Sequence, residues 1–361
     1  MSEYYHPRYS GRKPRNRRPG RGLVITLLVL AILLFSAVYV VYTSAWKTNV
    51  YTGESNTAYI TIPTGSNFDT VKKHLYTHGL VINRKSFELV ARLKKYEKSI
   101  KPGRYKLSNS MNNLELVGML RSGRQEPVKV IFNNIRTSDQ LAGRISKQIE
   151  ADSLSIINLL NDSVYLDFLG VSKHSLFTII IPNTYEFYWN TTAKAFINRM
   201  KSESDKFWNS ERLKKLGLIN LNRLEAITLA SIVEKETNKN DEKPRVAGVY
   251  LNRLTKGWLL EADPTLVFAH GDFEMRRVLN IHKQIESPYN TYKFRGLPPG
   301  PICLPSVSSI DAVLNHEQHD YMFFCAREDF SGYHNFARSL EQHNLNAWKY
   351  QQALNRKNIY K

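Results

Sequence analysis

Metal chemistry has little to work with in this chain. Neither HExxH nor a pair of CxxC motifs occurs, and His316 and His319 stand by themselves. No metal and no cofactor is expected. With only two cysteines, Cys303 and Cys325, a disulfide framework is excluded too. The two could pair in an oxidising compartment or stay as buried thiols, and spacing does not choose. Low-complexity tracts are missing. Residues 128–132 followed by 138–149 copy an earlier strand-turn-helix start only loosely, which excludes a repeat array. Acidic residues are scarce as well: 32 against 51 basic ones leave a net charge of +19.

Long apolar runs are limited to one. Residues 23–42 carry no charge over twenty positions, enough for a helix to cross a bilayer core of roughly 30 Å. Seven basic residues precede it (Arg8, Arg12, Lys13, Arg15, Arg17, Arg18 and Arg21), and only Lys47 follows nearby. The positive-inside rule then keeps the N-terminus in the cytoplasm and sends the rest across, as a single-pass protein of the cytoplasmic (inner) membrane. A cleaved signal peptide fits less well, because the run is long and no small-x-small site closes it. Setting aside residues 1–22 lowers the net charge to +13. Such a surface usually points to nucleic acid. Outside the cytoplasm, an anionic wall polymer or lipid head groups fit better, and no nucleic-acid partner is expected.

Beyond the run the chain is long enough for two ordinary domains. Residues 57–62 alternate as a strand, and Phe68, Val71 and Leu75 form a helical stripe. A second helix is predicted near 84–96, a strand at 101–107 after a Pro-Gly turn, and a helix near 113–121. The β-α-α-β order over residues 58–107 resembles a LysM-like glycan-binding module. The fold class is α+β: an N-terminal transmembrane helix, this small subdomain, then a mixed α/β domain. A polar helix with Trp348 closes the chain near 340–355.

Chemistry concentrates at residues 229–237, LASIVEKET. A helix is predicted from about 221 to 237, capped by Asn220 or Asn222. Leu221, Leu224, Ile227, Ala230 and Val233 lie on one side, Leu229 and Ile232 on the other. The helix is therefore apolar nearly all round, with Glu234 and Glu236 at its end. Burial and the negative end of the helix dipole both favour a protonated carboxyl near neutral pH, as glycosidic cleavage requires. The ordinary alternative is a solvated helix end. The two glutamates lie about 200° apart, so one cleft takes only one of them, and periodicity does not say which.

After this helix come a helix started by Pro244 (Val246, Val249, Tyr250 and Leu254 on one face, Gly257 beyond), then ADPT at 262–265, SPYNTY at 287–292, GLPPGPI at 296–302 and HNF at 334–336. Singly, each reads as loop chemistry. In this order and spacing, LASIVEKET, VYLNRL, ADPT, YNTY, GLPPGPI and HNF resemble the catalytic domain of the YceG-like family, the MltG-type endolytic murein transglycosylases. The resemblance implies a basic cytoplasmic tail at 1–22, a transmembrane helix at 23–43, a LysM-like subdomain at 44–125 and a catalytic domain at 126–361. It implies peptidoglycan glycan strands as substrate, and cell-wall synthesis proteins as further partners.

By motif position the resemblance places the catalytic acid on Glu234 and gives Glu236 a structural or supporting role. Asp263, Tyr289, Asn290, Thr291, Tyr292 and His334 would line the glycan cleft or brace its loops. For Asp263, loop bracing and substrate contact are equally open. The chain departs from the family pattern at FTIII (177–181), at Asn183, and at Asn133 and Asn134. The implied reaction uses one carboxyl twice and leaves a 1,6-anhydro-MurNAc end. A hydrolytic muramidase with Glu261 or Asp263 as second carboxyl, and a non-enzymatic wall-binding scaffold, are the alternatives.

Overall fold

A computed structural model of the chain describes residues 2, 11, 20–275 and 277–357. The basic tail expected at 1–22 therefore lies almost entirely outside the described residues. The fold is mixed helix and strand, of the α+β class, and the chain divides into two compact units, Met1–Gln125 and Glu126–Lys361.

The first unit opens with α1 (Arg21–Trp46), 26 residues that are exposed along nearly all their length. Its most apolar window has a mean hydropathy of 2.9. At about 1.5 Å per residue it exceeds the bilayer core. Only Ala45 is buried, where the last turn joins the small core of this unit. Then come β1 (Thr57–Ile62), α2 (Phe68–Thr77), α3 (Arg84–Leu93), β2 (Gly103–Ser108) and α4 (Asn113–Ser122). β1 and β2 pair antiparallel with Ile60 opposite Tyr105, so alternate side chains face one core with Val71, Leu75, Phe87 and Leu116. Asn67, Asn83 and Asn112 cap α2, α3 and α4 in turn, satisfying N–H groups that a helix cannot satisfy internally.

The second unit begins with β3 (Val128–Ile131), α5 (Ser138–Ile145), α6 (Ser153–Asn161), α7 (Ser163–Phe168), β4 (Thr184–Phe187) and α8 (Ala193–Phe207). β3 pairs antiparallel with β4, and Phe132 stacks on Tyr185 of β4 and meets Phe196 edge to face. Next are α9 (Ser210–Leu218), α10 (Arg223–Glu236), α11 (Lys243–Thr255), α12 (Asp263–His270) and α13 (Val307–Leu314). The strands β5 (Phe323–Ala326) and β6 (His334–Ala337) pair as a hairpin before α14 (Leu340–Arg356). The helix that bears the two glutamates is thus two residues shorter at its start than its apolar pattern suggests. Asn222, and not Asn220, caps it, in a reciprocal capping box with Glu225. Every residue from Ala226 to Val233 is buried, because α11 and α13 pack on α10.

The GLPPGPI segment runs along α10. The Ile302 N–H donates to Ser231 Oγ at 3.0 Å, and Cys303 and Cys325 are both free thiols, Cys303 buried beside the Ser231 carbonyl. Gly300 explains the glycine in that motif. A Cβ there would lie 2.0 Å from the His174 carbonyl oxygen, an approach that backbone cannot relieve. Gly300→Ala should therefore destabilise the protein by at least the 1–3 kcal/mol or so typical of overpacking. A melting temperature equal to that of the parent protein would refute this reading.

Candidate active site

The last turn of α10 sends its two acids in opposite directions, as a period of 3.6 residues demands. Glu234 turns toward the start of α11 and the N-terminus of α13. Its Oε2 accepts from Lys243 Nζ at 3.0 Å, from Ser306 Oγ at 2.5 Å and from Ser309 Oγ. Lys243 is 5% exposed and Glu234 25%, so this ion pair is largely withdrawn from water. Burial alone would raise the carboxyl's pKa. The two serine hydroxyls, the lysine hydrogen bond and the lysine charge outweigh it and hold Glu234 below the usual carboxylate range. The α13 N-terminus, capped by Ser306, favours the same charged form. A protonated Glu234 near neutral pH, expected from its apolar helix, is therefore corrected: it is an ionised, tethered carboxylate.

Glu236 has the character that was expected of Glu234. Burial pushes its carboxyl up to about 7, against a lowering hydrogen bond from Tyr250, with the charge of Asp263 adding to the rise and Arg253 opposing it. The Tyr250 hydroxyl donates to Glu236 Oε1 at 2.6 Å and fixes its direction. Glu236 and Asp263 together line two hollows. One, of about 370 Å³, is walled by Arg136, Lys235, Phe268, Phe273 and Arg277. The other, of about 400 Å³, is walled by Tyr250, Arg253, Glu261, Lys283 and Tyr292. Glu236, its carboxyl pushed up to about 7, thus borders both hollows.

The remaining expected residues separate into two groups. Asp263 opens α12 without capping it; its carboxylate accepts from the Tyr292 hydroxyl at 2.6 Å, and both residues line the cleft. Tyr292 carries Lys283 over its ring at 4.4 Å. Tyr289 is buried against Phe268 and reaches a third hollow beside His174. Asn290 and Thr291 do not face the cleft. Asn290 is fully buried, donates to the Lys283 and Ile285 carbonyls and accepts from the Tyr292 N–H, which uses every polar atom of its amide. Thr291 accepts from the Ala262 N–H and meets Thr265 Oγ1 at 2.9 Å, tying this loop to the start of α12. Of the two roles expected for them, cleft lining and loop bracing, their contacts in this structure are those of loop bracing. His334 lines neither hollow. Its backbone N–H and Nδ1 both meet the Glu242 carboxylate, at 2.8 and 2.7 Å, and pin β6 to the segment after α10.

Several cleft residues carried no motif of their own. Arg136, Lys283 and Arg277 look like ordinary surface cations in sequence; Tyr250 stands within VYLNRL, but there it reads as one more apolar position on α11 and gives no sign of its hydroxyl's contact with Glu236. Asn134, one of the departures from the family pattern, accepts from Lys235 Nζ at 2.6 Å and so holds a cation on the cleft wall.

The chain matches the model of the YceG-like family over residues 60–349. An endolytic murein transglycosylase of Bacillus subtilis is 28% identical over 321 residues, which cover 83% of this chain and 87% of that protein. One from Streptococcus pneumoniae is 27% identical over 364 residues, covering 90% of this chain but only 64% of the pneumococcal protein. A crystal structure of a YceG-like protein from Listeria monocytogenes matches with a TM-score of 0.55 and 26% identity, over 80% of this chain and 98% of that one.

Removing one partner of a buried pair leaves the other charge uncompensated. Lys243→Met should therefore cost on the order of 3 kcal/mol in urea unfolding at pH 7. Because the folded pKa of Glu234 is depressed, the pair's contribution is complete above the unfolded value, about 4.3, and is lost as pH falls through the lower folded value. The gap between parent and variant should close in acid. An equal gap at pH 7 and at pH 2 would contradict the assignment.

Proposed function

The chain belongs to the YceG-like family, and on that premise we propose that it is a membrane-anchored endolytic lytic transglycosylase with Glu236 as its acid and base. It cleaves the MurNAc-GlcNAc bond inside nascent peptidoglycan strands and so terminates their elongation. One observation carries the choice of residue: the Glu236 carboxyl, pushed up to about 7, lies at the junction of the two hollows. General acid-base catalysis works best with a pKa near the operating pH. Glu234, which motif position favours, is committed to Lys243 and two serines, and its proton is lost well below neutrality. Its role here is to hold the end of α10 in place.

The reaction needs one carboxyl. Protonated Glu236 donates to the oxygen linking MurNAc C1 to the next GlcNAc, and the C1–O bond breaks. The carboxylate left behind takes the proton of the same sugar's C6 hydroxyl as that oxygen bonds to C1. The product is a 1,6-anhydro-MurNAc end, formed without water, and Glu236 is again protonated. An internal nucleophile held on the sugar itself supplies the advantage of proximity. Asp263 and Tyr292 border the reacting centre and would orient the sugar.

In this reading α1 anchors the protein with its N-terminus in the cytoplasm and the catalytic unit outside, as the charge around residues 23–42 favours. The strand-helix-helix-strand unit would serve as a LysM-like glycan-binding subdomain at 44–125, with the catalytic domain at 126–361. A hydrolytic muramidase is a second reading, favoured by one observation: Asp263 shares both hollows with Glu236 and could be a second carboxyl. Mass spectrometry of the released muropeptides separates the two, since hydrolysis adds one water.

Glu236→Gln should lower turnover of intact murein by at least ~10²-fold while keeping the fold. Because the raised pKa of Glu236 removes stability as pH rises from the unfolded value toward about 7, this variant should be at least as stable as the parent at pH 8. Glu234→Gln should do the reverse, losing stability and far less activity per folded molecule. Full loss of activity in folded Glu234→Gln, with Glu236→Gln still active, would return the acid role to Glu234.

The pH profile provides an independent check. Cleavage requires the protonated acid, so kcat/KM should fall as pH rises through about 7. The Tyr250 hydrogen bond lowers that pKa, so Tyr250→Phe should move the falling limb to higher pH. A limb that stays in place or moves down would argue against Glu236.

A further inference from the structure

The wall of the first hollow carries positive charge that general acid chemistry does not use. Arg136, Lys235 and Arg277 line it with Glu236, and among the described residues Asp263 is the one other acid of its wall. Arg136 also lines, with Phe268, a third hollow of about 350 Å³ that holds Lys173 and His174 and one carboxylate, Asp139. The guanidinium of Arg136 therefore stands at the partition between two hollows. It lies over the Phe273 ring at 4.8 Å and donates one N–H to the Phe273 carbonyl at 3.4 Å. These contacts orient the planar group while leaving most of its donors free. Elsewhere in this unit Arg212, Arg245 and Arg253 each pair with a carboxylate. Among the described residues Arg136, Lys235 and Arg277 do not.

We propose that this wall is a subsite for an anionic substituent of the glycan strand, a free carboxylate on the peptide branch, with Arg136 as its principal contact. The inference rests on the transglycosylase reading and specifies which strands that site accepts. The sugars themselves offer only hydroxyls and acetamides, which need no cations. The peptide branch hangs from the lactyl group of MurNAc, the sugar whose C1 is attacked, so a branch on that sugar must leave the cleft beside Glu236. The first hollow and the third share Arg136 and Phe268 as walls, so a branch leaving the first passes close to the third. A planar guanidinium binds carboxylate in a two-pronged, charge-assisted contact that an ammonium cannot reproduce. The other anion on a nascent strand is the diphosphate of its lipid-linked end. Arginine would bind it equally well, but only at the terminus.

The test uses the full-length protein in detergent with three strand preparations: peptide-bearing, peptide-stripped, and peptide-bearing with the lipid diphosphate removed. The parent protein should cleave peptide-bearing strands about tenfold or more faster, by kcat/KM, than stripped ones, whether or not the lipid is present. Arg136→Met should bring that ratio close to one, and Arg277→Met should reduce it in part. No preference in the parent, or an unchanged ratio in folded Arg136→Met, overturns the proposal. So does cleavage that falls when the lipid diphosphate is removed but not when the peptides are stripped. Binding of peptide-bearing and stripped oligosaccharides to Glu236→Gln protein separates this idea from the one beneath it. Peptide-dependent binding that Arg136→Met abolishes, without anhydro products from the parent, would fell the enzymatic reading and leave the subsite standing.

Discussion

The ion pair between Glu234 and Lys243 is the constraint on which the cleft depends. It joins the end of α10 to the first residue of α11, and through Ser306 and Ser309 to the N-terminus of α13. With those three helix ends locked, the rotation of α10 is set, and Glu236 must face the other way. There it meets Tyr250 from α11 and Asp263 from α12, side chains that only a fixed arrangement of these helices brings together. Two carboxyls a single residue apart thus receive opposite environments. One is paired and ionised; the other is half-buried, its carboxyl pushed up to about 7. The first stabilises the helix ends, and the second costs stability, in exchange for the chemistry proposed for it.

Around that acid the cleft is built from braced loops. The YNTY segment contributes Tyr292 to the cleft wall, while Asn290 and Thr291 lock the segment internally and onto α12. Gly300 lets the GLPPGPI segment press against the His174 carbonyl. His334 and Glu242 secure the chain that leaves α10. Each motif therefore serves the site, though most act through the backbone. Arg136, Lys235 and Arg277 on the wall of the first hollow place part of the basic composition beside the candidate acid.

Much of this was legible before folding. The apolar run at 23–42, the alternation at 57–62, the stripe Phe68, Val71 and Leu75, and the apolar surround of α10 are local patterns, and local physics produced the elements they announce. The pairing of β3 with β4 was not legible, because Ile131 meets Thr184 across three intervening α-helices and a 3-10 turn, and short strands carry no mark of their partner. The helices α6 to α9 and the β5–β6 hairpin carry short or mixed patterns. The cleft cations were invisible for the same reason: Arg136 and Arg277 are charged residues in irregular segments until α10 and α12 are placed beside them.

The sequence by itself determined that an apolar helix would end in two acids facing opposite ways, since the helical period allows nothing else. It also determined the anchor-length run and the order of motifs that define the family. Only the tertiary structure decided which acid keeps its proton. A carboxyl's affinity for hydrogen depends on the groups that touch it, and Lys243, Ser306 and Ser309 reach one glutamate while Tyr250, Arg253 and Asp263 surround the other. No linear pattern records those meetings.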